Sequence, residues 1–481
     1  MKKKLLIHPV PSEAVGNNDF SVRIRLISGE WQELFVYEVK VDMHNVRKAS
    51  MVTFDMNDAV DIEVTCHYLN EISEVDIRPL SKNITSSQNG NTVLFSLDKP
   101  CKLSVEFNKE RFRNLHLFAN PIENSRPNID GSNVFVVEPG IHRPEDLLLE
   151  AEKPNSTDGT IPEIIYFREG MHYIEQTIFK IPSGKTVYLE GGSIVVGSLV
   201  CDSVENVTIC GRGILYLSNF ERFSAFRGIR ILFSKNINID GIMTIDPPHY
   251  SIYIGKSKNI KISNFKSFST RGWSDGIDMM SSSDIDIDDV FLRTSDDCIA
   301  IYGSRWAYYG DARNINVRNS ILWADVAHPL MIGTHGDHQG NGDMIENILY
   351  DNIDILEHHE PQSDYWGAMS INAGDKNTVR NVTYKNIRVE HFELGQLFDL
   401  RVVWNEKYNP SPGSNISNIH FDNIAYRGVT DKPSRILGFD TERIVDGVTF
   451  KNLSINGKIV TNRDEANIVT NEFTKKIKFE K

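Results

Sequence analysis

Apolar and polar side chains alternate along most of this chain, with a different rhythm in each of two stretches. Over residues 20–120, short runs such as Ser21-Val22-Arg23-Ile24-Arg25-Leu26 and Val75-Asp76-Ile77-Arg78-Pro79-Leu80 alternate with period two. Polar turns such as Ser86-Ser87-Gln88-Asn89-Gly90-Asn91 separate them. Runs of this kind, wet on one face, predict an antiparallel β-sandwich. A Pro-, Asn- and Glu-rich stretch follows Pro121, with one short helix predicted over 143–152. The boundary falls near 125, which makes residues 1–125 the sandwich and 126–481 a second domain.

From about residue 163 a template recurs in which Asn or Asp leads an alternation of β-branched and polar residues. Its copies begin at Asn206, Asn236, Asn259, Asp284, Asn314, Asn347, Asn381 and Asn418, with a degenerate copy at Gly447; the intervals are 30, 23, 25, 30, 33, 34, 37 and 29 residues. A base period in the low twenties with insertions at one corner excludes a leucine-rich horseshoe, and apolar spacing of two excludes a helical repeat. The chain is therefore expected to be all-β: a right-handed parallel β-helix preceded by the sandwich, with inward Ile and Val in a continuous column. The leading Asn residues read as a ladder of side-chain amides at one corner.

Two successive rungs carry residues that such architecture does not require: Ser274-Asp275-Gly276-Ile277-Asp278, and Thr294-Ser295-Asp296-Asp297-Cys298. Asp275 and Asp296 are 21 residues apart, about one turn, so stacking brings Asp275 beside the Asp296–Asp297 pair. Carboxylates this close raise at least one pKa, leaving a proton donor beside ionised partners, which is what acid/base hydrolysis of a glycosidic bond needs. Two other readings stand beside this. In a regular strand Asp296 and Asp297 would face opposite sides, and clustered carboxylates also bind Ca²⁺. His328 on the next rung is placed either to tune the acid or to act as a structural hydrogen-bonder. Arg305, Trp306 and Tyr309, in an inserted aromatic loop, and His335 in the next insert read as sugar-binding residues, since aromatic faces stack on sugar rings. Trp323, in a strand-like run, reads as core. His335, His338, His358, His359 and Glu360 match no standard ligand spacing, so no metal and no cofactor are predicted.

Asp275-Gly-x-Asp, the Asp296-Asp297-Cys-Ile-Ala-Ile run and His328…Ile332-Gly333 resemble the signature of the polygalacturonase-like glycoside hydrolases, family 28, on a pectin-lyase-like solenoid. The N-terminal sandwich is similar in layout to the related dextranase and isopullulanase family 49. The resemblance implies hydrolysis with inversion. It makes Asp296 the general acid, has Asp275 and Asp297 hold and activate the attacking water, and has His328 support the acid. Inversion calls for acid and base carboxyls ~6.5–9.5 Å apart. The chain departs from the pattern in Trp273-Ser274-Asp275, in Ala327-His328-Pro329, and above all in Ser370-Ile371-Asn372, where an Arg-Ile-Lys element should bind a carboxylated sugar. Asn372 therefore brings no cation, Arg401 on the following rung is a possible substitute, and the substrate leans toward a neutral glycan.

Composition sharpens this. The 481 residues exceed one compact core, which a solenoid accommodates, and a net charge of −13 without a basic stripe argues against nucleic-acid or anionic-membrane partners. No apolar run is long enough to span a membrane. The five scattered cysteines and the short apolar run after Met1-Lys2-Lys3-Lys4 fit a cytoplasmic protein, or a secreted or periplasmic one whose leader has been removed. The expected partner is a poly- or oligosaccharide, with oligomeric state open. Inserts over 302–312 and 335–345 could close one end of a groove and make the enzyme exo-acting. The rivals are a lyase or epimerase on the same scaffold, and a non-catalytic carbohydrate-binding solenoid.

Overall fold

A computed structural model describes residues 4–481 apart from 157, 223, 225, 226 and 431. Two sheets form the N-terminal sandwich. One has five antiparallel strands, running in space Gln32–Leu34, Phe20–Leu26, Val60–Cys66, Thr92–Leu97 and Ser86–Asn89. The other has six and is antiparallel except where Arg47–Met56 lies parallel to Leu115–Pro121. The period-two pattern works as expected: Phe20, Val22 and Ile24 are buried while Ser21 and Arg23 face water.

The remaining strands, from Val134–Val137 to Thr474–Glu480, form one coiled sheet in which nearly every strand bonds in parallel to the strand one turn later. One column runs Ile252–Gly255, Ile277–Met280, Ile299–Tyr302, Leu330–Gly333, Met369–Ala373, Phe398–Val402 and Ser434–Leu437. This is the parallel β-helix. The predicted helix is Pro144–Ala151, and it caps the solenoid by laying Leu147 and Ala151 on its core. Inside, the Ile and Val column is joined by an aromatic stack that the repeat pattern did not foretell. Tyr350, Tyr384, Phe421, Phe450 and Phe479 lie nearly parallel at centroid spacings of 5.0, 4.8, 4.9 and 5.0 Å.

The Asn ladder is present and has a backbone cause. Each leading residue sits in the left-handed region, for example Asn236 at φ 57°, Asp284 at 58° and Asn347 at 59°, where Asn, Asp and Gly are tolerated best. Gly447 takes the same place at φ 84°. The amides then bond rung to rung, Asn236 to Asn206 (2.9 Å), Asn347 to Asn314 (3.1 Å) and Asn418 to Asn381 (2.7 Å). A second set of amide bonds runs at the next corner, Asn352 to Asn319 (2.7 Å), Asn386 to Asp351 (2.8 Å), Asn423 to Asn386 (2.7 Å) and Asn452 to Asn423 (3.1 Å).

The sandwich is bolted to the solenoid by buried charge. Arg78 donates to Glu390 (2.6 Å) and Glu106 (3.0 Å), and Arg293, fully buried, donates to Asp325 (2.9 Å) and Asn114 (3.0 Å). Phe118, Phe268, Phe291 and Trp323 fill the apolar part of this contact, so Trp323 is core as read from its strand-like setting. Arg293 and Asp325 stand just before the two turns that carry Asp296–Asp297 and His328. The sandwich thereby braces those turns.

Candidate active site

The strands Ile277–Met280, Ile299–Tyr302 and Leu330–Gly333 stack in register, and the turn preceding each supplies Asp275, then Asp296 and Asp297, then His328. Ladder bonds continue through these turns: Gly276 N–H donates to the Asp297 carbonyl (2.9 Å) and Cys298 N–H to that of His328 (2.8 Å). Gly276 is required, because a Cβ there would stand 2.3 Å from the Cys298 carbonyl oxygen. Asp275 thus stacks on Asp297, within the pair that the 21-residue spacing placed beside it. Asp296 and Asp297 lie in a turn, so strand alternation does not separate them. One oxygen from each of Asp275, Asp296 and Asp297 falls within 4.8 Å of the others.

The three carboxylates have different surroundings. Asp296 is the most open to the cleft; it accepts from the N–H of Trp273 (2.9 Å) and of Asp297 (3.1 Å). Burial and the charge of Asp297 outweigh those bonds and push its pKa up to about 7. Asp275 is nearly buried, and burial with the charges of Asp278, Asp296 and Asp297 raises its pKa well above the usual range. Asp297 receives both the backbone N–H of His328 (3.1 Å) and its ring Nδ1 (2.7 Å), while Nε2 of the same ring meets the Tyr365 carbonyl (2.9 Å). A carboxylate and a carbonyl can only accept, so both ring nitrogens donate and the ring is an imidazolium. Burial opposes that charge, but contact with Asp297, helped by Glu360, raises the His328 pKa. His328 therefore serves Asp297. The resemblance had it support the acid, Asp296.

The other expected site residues divide. Arg305 joins the cluster: its guanidinium donates to the Tyr250 hydroxyl (2.8 Å) and lies 3.9 Å from Asp278. Trp306, 48% exposed, covers Arg305 and stacks at 6.2 Å on Tyr250. His335 packs edge-on against Tyr302 at 5.1 Å, and burial with the Arg305 charge holds its pKa well below the usual value. Tyr309 turns outward, 63% exposed, its carbonyl taken by Lys256; among the described residues no contact ties it to the acids. Asn372 and Arg401 pair in register one and two rungs beyond Gly333, and Arg401 donates to the Asn372 side chain (3.3 Å) while paired with Asp399 (2.8 Å).

Asp278, Tyr250, Tyr365, Glu360 and Tyr408 complete the surroundings, and of these Asp278, Tyr250 and Tyr408 were not selected from the sequence as site residues. Asp278 had a signal, three residues after Asp275 in the same motif. Fully buried, its pKa is raised by that burial, against the pull of Arg305. The others come from inserts whose path the repeat does not determine. Among the described residues Asp275, Asp296 and Asp297 are also the group close enough to hold a metal ion. His358 is committed elsewhere, with one ring nitrogen on the Ala327 carbonyl (2.8 Å) and the other accepting from Gly367 N–H (3.0 Å).

The chain is similar to known proteins. The family model described as glycosyl hydrolases family 28 matches residues 220–475. Exopolygalacturonase B of Aspergillus niger is 25% identical over 247 residues, 46% of this chain and 53% of that protein. The chain thus spans about half the length of the curated relatives it matches. In fold, the chain is similar to Dex49A from Penicillium minioluteum, with a TM-score of 0.63 at 16% identity over 99% of this chain and 96% of that one. It is also similar to an exopolygalacturonase from Thermotoga maritima, with a TM-score of 0.52 at 14% identity over 72% and 94%.

Proposed function

The chain belongs to glycosyl hydrolases family 28, and on that footing we propose that it hydrolyses a glycosidic bond of a poly- or oligosaccharide by acid–base catalysis with inversion. One observation carries the reading: within a single cluster Asp296, at about 7, keeps its proton near neutrality while Asp297 beside it is held by the His328 ring at 2.7 Å. Asp296 protonates the leaving oxygen as the glycosidic bond breaks. A water held between Asp275 and Asp297 attacks the anomeric carbon from the opposite face and gives its proton to Asp297. Asp275, its own ionisation suppressed, orients that water. Proton exchange with solvent then restores both acids.

The test is proton NMR of the first product: a switched anomer supports these roles and a retained one overturns them. An unsaturated product absorbing in the ultraviolet would revive a lyase, and binding without hydrolysis would point to a carbohydrate-binding solenoid.

For the substrate we propose a neutral sugar on the Asn372 side, because Asn372 brings no cation and Asp399 offsets Arg401. A uronate on the opposite side is the second reading, favoured by Arg222, Arg227 and Arg305, whose charges all act on His249. A panel of neutral and uronic oligosaccharides decides between them. Trp306 stacked over Tyr250 supports exo action by closing that side; random mid-chain cleavage of a polymer would count against it.

A further inference from the structure

Beyond the catalytic rungs the same column of strands continues into a second concavity. A groove of about 620 Å³ lies along Phe398–Val402 and Ser434–Leu437, lined among others by Asn372, Arg401, Trp404, Lys407, Phe439 and Asn471. These strands stand three and four rungs beyond Ile299–Tyr302, which at the ~4.8 Å strand spacing is roughly 14–19 Å from the acid cluster. Two large aromatic rings open into it, Trp404 at 50% exposed and Phe439 at 38%, and both follow strands on neighbouring rungs. The Trp404 ring is fixed by its indole N–H on the Asn409 carbonyl (3.1 Å).

Two segments link the wall of the groove to the catalytic centre. Tyr365, whose carbonyl caps His328, belongs to the segment that supplies Gln362, Ser363 and Asp364 to the groove wall. Tyr408 packs on Tyr365 at 5.3 Å, donates to Gln362 (2.9 Å), and belongs to the segment that supplies Trp404 and Lys407. Fixed aromatic faces flanked by side-chain amides, with the Arg401 charge offset by Asp399, suit the apolar faces and hydroxyls of sugar rings.

We propose that this groove is a distal subsite binding sugar residues three or four positions away from the scissile bond, with Trp404 and Phe439 as stacking platforms. The inference rests on the hydrolase reading above. It makes the substrate a chain rather than a disaccharide, because the rise of one rung is close to the advance of one sugar residue.

The test uses the full chain with oligogalacturonides and α-linked gluco-oligosaccharides of two to seven residues, reading kcat and KM at each length. For the unaltered protein kcat/KM should climb until the groove is filled. Trp404→Ala and Phe439→Ala should each remove about tenfold of kcat/KM from the longest members, mainly through KM, as loss of an aromatic contact worth about 1.4 kcal/mol does. The shortest members should be cleaved as before, and Trp404→Phe should recover part of the loss. An equal fall at every length, or none at any length, overturns the subsite and leaves the hydrolase reading intact. Neither hydrolysis nor binding of either series by the unaltered protein overturns both.

Discussion

Asp296→Asn isolates the group on which the proposed chemistry turns. Lifting this carboxyl from the ordinary value of 3.8 to about 7 makes its ionisation about 4 kcal/mol harder, at 1.36 kcal/mol per tenfold. Burial supplies the largest part and the neighbouring Asp297 charge the next, against two backbone N–H groups that pull the other way. The proton donor is therefore lost as pH rises, and kcat/KM should decline on the alkaline side with a midpoint near 7. The Asn variant should lack that limb, and kcat on sugar leaving groups should fall about 10²- to 10⁴-fold, the usual worth of a positioned acid. A nitrophenyl glycoside, whose leaving group needs no proton, should lose much less. The same shift acts on stability. A carboxyl with a folded pKa above its unfolded one weakens the fold as pH rises from about 4 through 7, and Asn escapes that penalty. Asp296→Asn should melt at a higher temperature than the unaltered protein at pH 8 and at nearly the same temperature at pH 4. Equal losses on both substrate types, an alkaline limb surviving in the variant, or a melting difference independent of pH would refute the reasoning.

Two further outcomes follow from the scaffold. Asn347, left-handed at φ 59°, donates to Asn314 and accepts from Asn381. Asn347→Ala should cost about 2–3 kcal/mol by denaturant unfolding, about 1–2 from the backbone and the rest from the amide bonds, while Asn347→Gly keeps the backbone relaxed and should cost less; equal losses would remove the backbone argument. Arg78→Met leaves Glu390 and Glu106 buried without their cation at the joint between sandwich and solenoid, and should cost about 3–5 kcal/mol, partly recovered by adding Glu390→Gln. A change under 1 kcal/mol would show the joint to be held by its apolar contacts.

The features read correctly before the fold was known share one property: each depends on residues close in sequence or repeated at a fixed interval. Alternation in Phe20–Leu26 decides which side chains are wet. Asn236, Asn259 and Asn314 recur because one corner of each rung needs a left-handed residue. The motif around Asp275, Asp296–Asp297 and His328 was legible because one turn of the solenoid is nearly constant in length, so spacing stands for proximity.

What the sequence left open depends on turns and inserts. Spacing put Asp275 beside the Asp296–Asp297 pair, as the structure has it, and the ladder bond from Gly276 to the Asp297 carbonyl decides that Asp297 is the one stacked on it. Strand alternation would have separated Asp296 from Asp297, and it does not act here because a turn carries both. The repeat places strands and is silent on the paths of the inserts between them, so it did not bring Tyr365 to His328, Arg305 to Tyr250 or Tyr408 to Gln362. By itself the sequence determined the sandwich, the solenoid and three acids on neighbouring rungs, because backbone preference and period are local properties. Only the tertiary structure decided which acid keeps its proton and which faces the imidazolium, because that depends on burial and on charges drawn together from loops distant in the chain.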